Sequence, residues 1–320
     1  MIKKTIYISN PAYLSIKENQ LVVSNLQKVD NELKLDTERE KKYKHRENIK
    51  NDIINHVPIE DIGIVVLDNP QIVITHNALN ALIENNTSLV TCNSSHMPSG
   101  LFLPLEGNNI QTQIFQAQIE SSEPLKKQLW AQTISAKILN QKMLLDKFDV
   151  KTENMKTWIR KVRSGDPDNY EGRAAAFYWK NLFAYLPEFR RDRYGEPPNN
   201  LLNYGYAILR AITARSLVGS GLLPTFGIHH SNKYNAYCLA DDIMEPYRPF
   251  VDEVVLEIVS NGEDFYELNT SIKKQLLSIG ILDVTIEGKR SPLMIAVQRT
   301  TASLVKCFTG EARKIIYPIL

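Results

Sequence analysis

The sequence is poor in cysteine, in long apolar runs and in net charge. Its three cysteines, Cys92, Cys238 and Cys307, stand far apart and form no Cys-x-x-Cys pair. This spacing excludes a disulfide-stabilised secreted scaffold and a thiol-built structural zinc site. We expect all three to be reduced residues of the protein core, as is usual in the cytoplasm.

Long apolar segments are also missing. No run reaches the length of about 20 residues that a transmembrane helix needs. Lys3 and Lys4 precede a short β-branched segment and not the apolar stretch of a signal peptide. Hydrophobic residues make up 43% of the 320 positions, which is enough for the cores of two globular domains. We therefore expect a cytoplasmic protein that contacts no membrane.

Positive and negative side chains are nearly equal in number. The formal net charge is +2, so the overall charge does not mark a nucleic-acid-binding protein. Local clusters of basic residues can still make salt-sensitive contacts to DNA phosphates, although any one of these side chains could simply face solvent. The clustered residues are Lys156, Arg160, Lys161, Arg163, Arg173, Lys180, Arg190, Arg191 and Arg193, with Arg248 further along.

The pattern of apolar residues changes once along the chain. Short β-branched and aromatic segments fill the first hundred residues, and residues 57–68 are expected to form one long strand. From about residue 108 the pattern is that of long amphipathic helices, and two or three helices are expected over 264–320. We predict an α+β protein, with a small N-terminal β-sheet domain (1–107) and a larger all-α domain (108–320).

One highly charged segment, residues 28–50, interrupts the β-rich half and shows no apolar stripe of core width. A solvated helix or a mobile insertion between strands is the favoured interpretation. The alternative is a contact surface for a partner or for DNA.

The densest group of chemically useful side chains lies within residues 221–252. A turn-rich loop closes on His229 and His230, and the helical stretch after it carries Asp242 and Glu245. The two carboxylates are three residues apart and therefore share a helix face. A histidine beside a pair of carboxylates suits a hard divalent cation.

Two further features bear on this candidate metal site. Pro246 cannot donate a helical hydrogen bond, so we expect a kink that turns Asp242 and Glu245 towards a shared ligand. Glu171 lies near the start of a helix predicted from about residue 170, where the helix dipole favours an acidic side chain. Taken alone, Glu171 is best interpreted as an ordinary first-turn charge.

Three motifs, in this order, resemble the CRISPR-associated integrase/endonuclease family, whose members insert new spacers into a CRISPR array. The N-terminal run Thr5-Ile-Tyr-Ile-Ser-Asn-Pro-Ala-Tyr-Leu is similar to the form found beside single-effector, RNA-guided (type II) systems. The likeness covers nearly the whole chain. The motifs are Glu171-Gly172-x-Ala-Ala, Gly221-Leu-x-Pro-x-x-Gly-x-x-His230, and Leu239-Ala-x-Asp-x-Met-Glu-x-x-Arg-Pro-x-x-Asp252.

The resemblance implies that the helical domain is catalytic and that Glu171, His230 and Glu245 bind the catalytic metal, Mg²⁺ or Mn²⁺. The imidazole shifts the preference towards Mn²⁺, because Mg²⁺ favours oxygen ligands. The implied reaction is attack of a 3′-hydroxyl on a phosphodiester of double-stranded or branched DNA. The implied assembly is a homodimer, formed through the β-rich domain, in a hetero-oligomeric complex with a small ferredoxin-like CRISPR adaptation subunit.

Several points stay open from the sequence. Asp242 is either an alternate ligand or a support for the ligands, and the role of His229 and the number of metal ions are undecided. One alternative function is a non-catalytic DNA-binding scaffold of an adaptation complex, whose acidic cluster is only structural. Another is a metal-dependent hydrolase of small phosphoesters.

Overall fold

The computed structural model describes residues 3–25, 53–186 and 189–320. The charged segment at 28–50 lies outside the described residues. The chain divides into two compact units, Met1–Pro104 and Leu105–Leu320, where the sequence predicts a boundary after residue 107. Within the described ranges, no helix combines the length and the apolar character that crossing a membrane would require.

The first unit is built mainly from β-strands. They form two four-stranded sheets, and a single helix, α1 (His76–Glu84), lies between the sixth and seventh strands of the described part. The strands are β1 (Lys4–Ile8), β2 (Ala12–Lys17), β3 (Gln20–Asn25), β4 (Ile53–Pro58), β5 (Ile62–Leu67), β6 (Ile72–Ile74), β7 (Ser88–Cys92) and β8 (Pro98–Phe102).

One sheet has the strand order β1-β5-β7-β8 and the other β4-β3-β2-β6. In the first, β1, β5 and β7 run parallel and β8 closes the edge antiparallel. Strand β5 is buried along nearly its whole length, which is typical of a strand covered on both faces.

The prediction of one long strand over residues 57–68 is wrong. A 3₁₀ turn, Ile59–Asp61, separates β4 from β5, and the two strands belong to different sheets. Pro58 ends β4 because it has no backbone N–H to donate to a ladder. Buried Val57 and Ile59 lead directly into the buried strand β5, so hydrophobicity alone did not mark the break.

The second unit is mainly helical. A β-sheet region followed by a helical domain is the arrangement that the sequence predicts, and this prediction is confirmed. The helices are α2 (Gln111–Ile119), α3 (Glu123–Asp146), α4 (Glu153–Lys161), α5 (Tyr170–Leu182), α6 (Asn199–Gly219), α7 (Cys238–Met244), α8 (Arg248–Ser260), α9 (Thr270–Leu277) and α10 (Leu293–Phe308).

A β-hairpin is added to the predicted all-helical domain. It consists of β9 (Asp283–Ile286) and β10 (Lys289–Pro292), which pair antiparallel. Glu287 and Gly288 both have positive φ, 51° and 73°, which is the geometry of the two-residue type I′ turn. Four-residue strands are too short to give a clear alternating pattern in sequence, which is why the hairpin was not predicted.

Helix α3 runs through the second unit and carries polar groups on its buried side. Its start is fixed by Ser122, whose hydroxyl accepts a hydrogen bond from the backbone N–H of Leu125. The buried face includes Trp130 but also Lys137 and Asn140. A lysine is seldom buried without a partner. The partners of Lys137 are therefore expected nearby, and they belong to the candidate site.

Candidate active site

Glu171 lies in the first turn of α5, at a helix start that several polar contacts fix. The side chain of Asn169 accepts a hydrogen bond from the backbone N–H of Gly172. The carboxylate of Asp166 accepts from the backbone N–H groups of Tyr170 and Glu171. These contacts satisfy N–H groups that have no partner within the helix, so the position of Glu171 is well defined.

Glu245 lies at the end of α7, where the kink predicted at Pro246 is confirmed. A 3₁₀ turn, Glu245–Tyr247, separates α7 from α8. Glu245 is buried, and its Oε1 lies 3.0 Å from Nε of Arg248. Burial acts to raise the pKa of Glu245, but Arg248 and Lys137 outweigh it and hold the pKa below its ordinary value. Glu245 is therefore a buried carboxylate that stays ionised.

Lys137 of α3 contacts both carboxylates. The sequence motifs did not identify this residue. Its Nζ lies 2.7 Å from Oε1 of Glu171 and 2.6 Å from Oε2 of Glu245. The first contact is a hydrogen bond. The second is an ion pair, because Oε2 has no partner in hydrogen-bond geometry among the described residues. The sequence signal was a lysine within the buried stripe of an amphipathic helix.

His230 is held in place by Asp242, which is fully buried. The carboxylate of Asp242 accepts hydrogen bonds from the backbone N–H groups of His229, at 2.9 Å, and His230, at 3.3 Å. It also contacts Nδ1 of the His230 ring, which leaves Nε2 as the ring nitrogen for a metal or substrate. Asp242 therefore orients the histidine loop, and the turn towards a ligand shared with Glu245 is not seen.

The negative charges near His230 include those of the other two candidate ligands, Glu171 and Glu245. Its hydrogen bond to Asp242 is the main reason that the pKa of His230 is raised. Partial burial opposes this shift, while Glu245 and Glu171 add to it. The three side chains that the family resemblance singled out thus belong to one electrostatic group.

Trp130 and Gly227 shape the histidine loop. The Trp130 ring stacks on His229 with a centroid distance of 4.1 Å and meets His230 edge-on at 5.6 Å. A Cβ atom at Gly227 would lie 2.4 Å from the carbonyl oxygen of His230 and 2.6 Å from Oδ2 of Asp242. Only glycine allows this approach, and His229 serves as a packing surface for Trp130.

An open groove of about 460 Å³ lies beside His230. Its surface is more apolar than polar, with Ile119, Phe226 and Phe308 in the lining, and Lys126 and Lys233 add positive charge. A groove of this composition suits a ligand with both phosphate and ring groups. Its lining includes Lys126, Thr225, Phe226, Ser231, Asn232, Lys233 and Asn235.

The donor chemistry fits a cation. Two carboxylates converge on the ammonium of Lys137, and the imidazole of His230 lies in their field; carboxylate oxygens and an imidazole nitrogen are donor types that Mg²⁺ or Mn²⁺ takes. In the described ranges, no group of three or more histidine, cysteine, aspartate or glutamate side chains already has a metal-holding arrangement.

The predicted basic clusters divide into exposed and engaged residues. Arg160, Arg173 and Arg190 are exposed. Arg191 instead points inward and donates hydrogen bonds to the side-chain oxygens of Asn199 and Asn203, each at 2.8 Å. Arg248 is likewise engaged, with the Glu245 carboxylate and with the ring of Tyr206, whose centroid lies 4.6 Å away.

Comparison with known sequences gives one family. The family model described as CRISPR associated protein Cas1 matches residues 6–275. The CRISPR-associated endonuclease Cas1 of Neisseria meningitidis serogroup C (strain 8013) is 37% identical over 260 residues, which is 81% of this chain and 84% of that protein. A CRISPR-associated endonuclease Cas1 of Pyrobaculum aerophilum is 26% identical over 261 residues, 78% of this chain and 88% of that protein.

Solved structures share the fold. A casposase bound to integration product matches with a TM-score of 0.75 and 18% identity, covering 98% of this chain and 92% of that one. A Cas1 protein from Thermotoga maritima matches with a TM-score of 0.71 and 15% identity, covering 96% and 97%. At these identities the likeness is one of architecture, and it extends over both units of the chain.

Proposed function

The chain belongs to the family of CRISPR-associated protein Cas1, an endonuclease and integrase family, and we propose on that premise that it is a divalent-metal-dependent DNA integrase. It would insert new spacers into a CRISPR array by attack of a 3′-hydroxyl on a phosphodiester. The observation that supports this best is the convergence of Glu171 and Glu245 on one ammonium, with His230 in their field.

We assign the binding of Mg²⁺ or Mn²⁺ to Glu171, His230 and Glu245. A divalent ion bound there would lower the pKa of the attacking hydroxyl and offset the charge that develops on the phosphate. Asp242 keeps Nδ1 of His230 occupied, so that Nε2 is presented. Arg248 keeps Glu245 ionised in its buried position.

DNA and protein partners are part of the proposal. Exposed basic residues, among them Arg160, Arg173 and Arg190, supply charge for phosphate contacts. A TtCas1–DNA complex shares the fold with a TM-score of 0.53. So does a chain of a Cas6-RT-Cas1–Cas2 complex, with a TM-score of 0.70 over 35% of that chain. We infer double-stranded or branched DNA as substrate, a homodimer, and a small ferredoxin-like adaptation subunit of the Cas2 kind.

The test is a joining and cleavage assay on branched DNA with Mn²⁺. Glu171→Gln and His230→Ala should each lose joining and cleavage while binding DNA as the unmodified protein does. Glu257→Gln, which alters an exposed glutamate of α8, is the matched control and should keep full activity. Joining or cleavage that persists in His230→Ala would overturn the ligand assignment.

The same assay separates the scaffold alternative. In favour of a scaffold, Lys137 and Arg248 already compensate the two carboxylates, as they would in a purely structural network. A scaffold would bind branched DNA in a salt-dependent way and show no Mn²⁺-dependent joining in any variant, the unmodified protein included. Salt-independent binding would instead favour a hydrolase of small phosphoesters.

A further inference from the structure

Lys137 occupies the position between the two proposed metal-binding carboxylates. The residue is 9% exposed, and its ammonium lies within 2.7 Å of Glu171 and 2.6 Å of Glu245. Arg248 takes the other oxygen of Glu245 at 3.0 Å. Two negative side chains therefore face two positive ones, and the group is close to neutral without any bound ion.

The ammonium is firmly charged in this environment. The cost of burying the charge is offset by Glu171 and Glu245, whose carboxylate oxygens lie 2.7 Å and 2.6 Å from Nζ. A buried charge of this kind is stable only while its partners remain in place. The carboxylates depend on Lys137 in the same way, because without it Glu171 would lose its ion-pair partner and buried Glu245 would keep only Arg248.

A divalent ion and this ammonium cannot use the same two oxygens at once. Like charges a few ångströms apart repel strongly in a partly buried site. The lysine ammonium sits on a flexible four-carbon stem, so it can leave the carboxylates without a shift of helix α3. Glu171 and Glu245, in contrast, are fixed by a capped helix start and by a 3₁₀ turn.

We propose that Lys137 is the resident counter-cation of the metal-free centre and exchanges with the divalent ion. Before the metal binds, Lys137 keeps Glu171 and Glu245 assembled. When the metal binds, the ammonium releases both carboxylates. Competition with Lys137 therefore sets the affinity of the site for the metal. This inference rests on the proposed metal-binding role of the two carboxylates.

The first test replaces the ammonium by an uncharged group of similar length, Lys137→Met. In EDTA this variant should melt at a lower temperature than the unmodified protein, because Glu171 and Glu245 lose the ammonium that they share. Its affinity for Mn²⁺, measured by calorimetry or from the free-ion signal in electron paramagnetic resonance, should rise at least about tenfold. An unchanged or weaker Mn²⁺ affinity in a folded Lys137→Met variant would overturn the proposal.

A second variant, Lys137→Arg, keeps the positive charge and therefore tests the exchange even if Lys137→Met does not fold. Lys137→Arg retains a cation that can bridge two carboxylates, so the melting temperature in EDTA should be kept while the Mn²⁺ affinity stays equal or falls. A purely structural role would not raise the Mn²⁺ affinity in Lys137→Met while leaving it equal or lower in Lys137→Arg. An affinity gain in Lys137→Arg would contradict the exchange.

Failure of the proposed metal site would give a different set of Mn²⁺-binding results. If the unmodified protein, Lys137→Met and His230→Ala all bind no Mn²⁺, then the metal site itself is wrong and the exchange with it. If the unmodified protein binds Mn²⁺ and His230→Ala does not, the metal site stands. The affinity of Lys137→Met then decides whether Lys137 competes for it.

Discussion

At the scale of single residues, the candidate centre includes side chains that hold the proposed ligands in place. Asp242 alone accepts two backbone N–H groups of the histidine loop and contacts the imidazole of His230. Such supporting partners of a metal-binding histidine commonly affect metal affinity or activity by about 10–100-fold. These contacts favour Asp242 as a support for His230, one of the two roles that the sequence left open.

We expect Asp242→Asn to reduce Mn²⁺-dependent joining by about 10–100-fold. The amide keeps the size of the side chain but removes the charge that helps to raise the pKa of His230, so this pKa should fall, as measured by NMR titration of the metal-free protein. The neighbour Asp241, which pairs with Arg210, supplies the control Asp241→Asn. Equal activity losses in the two variants would argue for a general effect of charge.

Asp252 allows a prediction about pH. Its burial raises its pKa to about 6, against hydrogen bonds from Tyr206 and Tyr178 and the charge of Arg248, which lower it. Because the unfolded value is about 3.9, the folded protein holds this proton more tightly between about pH 4 and pH 6. The contribution of Asp252 to stability is therefore full below about pH 4 and is lost as the pH rises through about 6.

The Asp252→Asn variant removes this proton-binding difference. Its free energy of unfolding, from urea titrations at pH 4.5 and pH 7, should depend less on pH than that of the unmodified protein, by at most about 3 kcal/mol. An identical pH dependence in both proteins would show that Asp252 titrates at its ordinary value.

At the scale of elements, one stripe of helix α3 touches every part of the centre. Trp130, Lys137 and Asn140 are seven and then three residues apart, which places them on one helix face. Trp130 packs against the histidine loop and Lys137 pairs with the two carboxylates. Nδ2 of Asn140 donates a hydrogen bond of 2.7 Å to the carbonyl oxygen of Pro246, directly after Glu245.

Asn140 also ties residues 318–320 to this turn. It donates to the carbonyl oxygen of Pro318, at 3.1 Å, and accepts from the backbone N–H of Leu320, at 3.2 Å. Asn140→Ala would leave these buried groups without their partner, so we expect a loss of about 3 kcal/mol in unfolding free energy. Joining activity should fall as well, because the turn that carries Glu245 loses its anchor.

The matched control is Asn80→Ala, at an exposed position of α1, for which we expect a change within about 0.5 kcal/mol. Urea titration and the joining assay measure the two effects separately. Full joining activity in a destabilised Asn140→Ala protein would mean that Asn140 serves only residues 318–320.

The elements also show what the sequence could and could not predict. Sequence signals gave the start of α5 near residue 170, and Pro246 gave the break between α7 and α8, because these signals are local. The bridge from Lys137 to Glu171 and Glu245 is not local. It depends on which helix faces meet, and no spacing within α3 records the partner of a buried lysine.

At the scale of the whole molecule, the distribution of charge matters more than its sum. The net charge of +2 is small, yet the basic residues within 156–193 are mostly exposed while others are used inside the fold. Adjacent Arg190 and Arg191 differ in this way: Arg190 is exposed, and Arg191 is bonded to Asn199 and Asn203.

This pair tests the proposed DNA contact. For Arg190→Ala, we expect the slope of log affinity for DNA against log salt to become less steep by about one, with stability within about 0.5 kcal/mol of the original. For Arg191→Ala, we expect the slope to be kept and the free energy of unfolding to fall by about 1–3 kcal/mol. The reverse assignment of the two effects would remove Arg190 from the DNA-binding surface.

Every side chain assigned to the candidate centre lies within Leu105–Leu320, one of the two compact units. The helical unit therefore contains the proposed ligands, the residues that support them, and Lys137. Substitutions in the described strands of the β-rich unit leave the composition of the centre unchanged. Variation in those strands can therefore accumulate without replacing any proposed ligand or any residue that supports one.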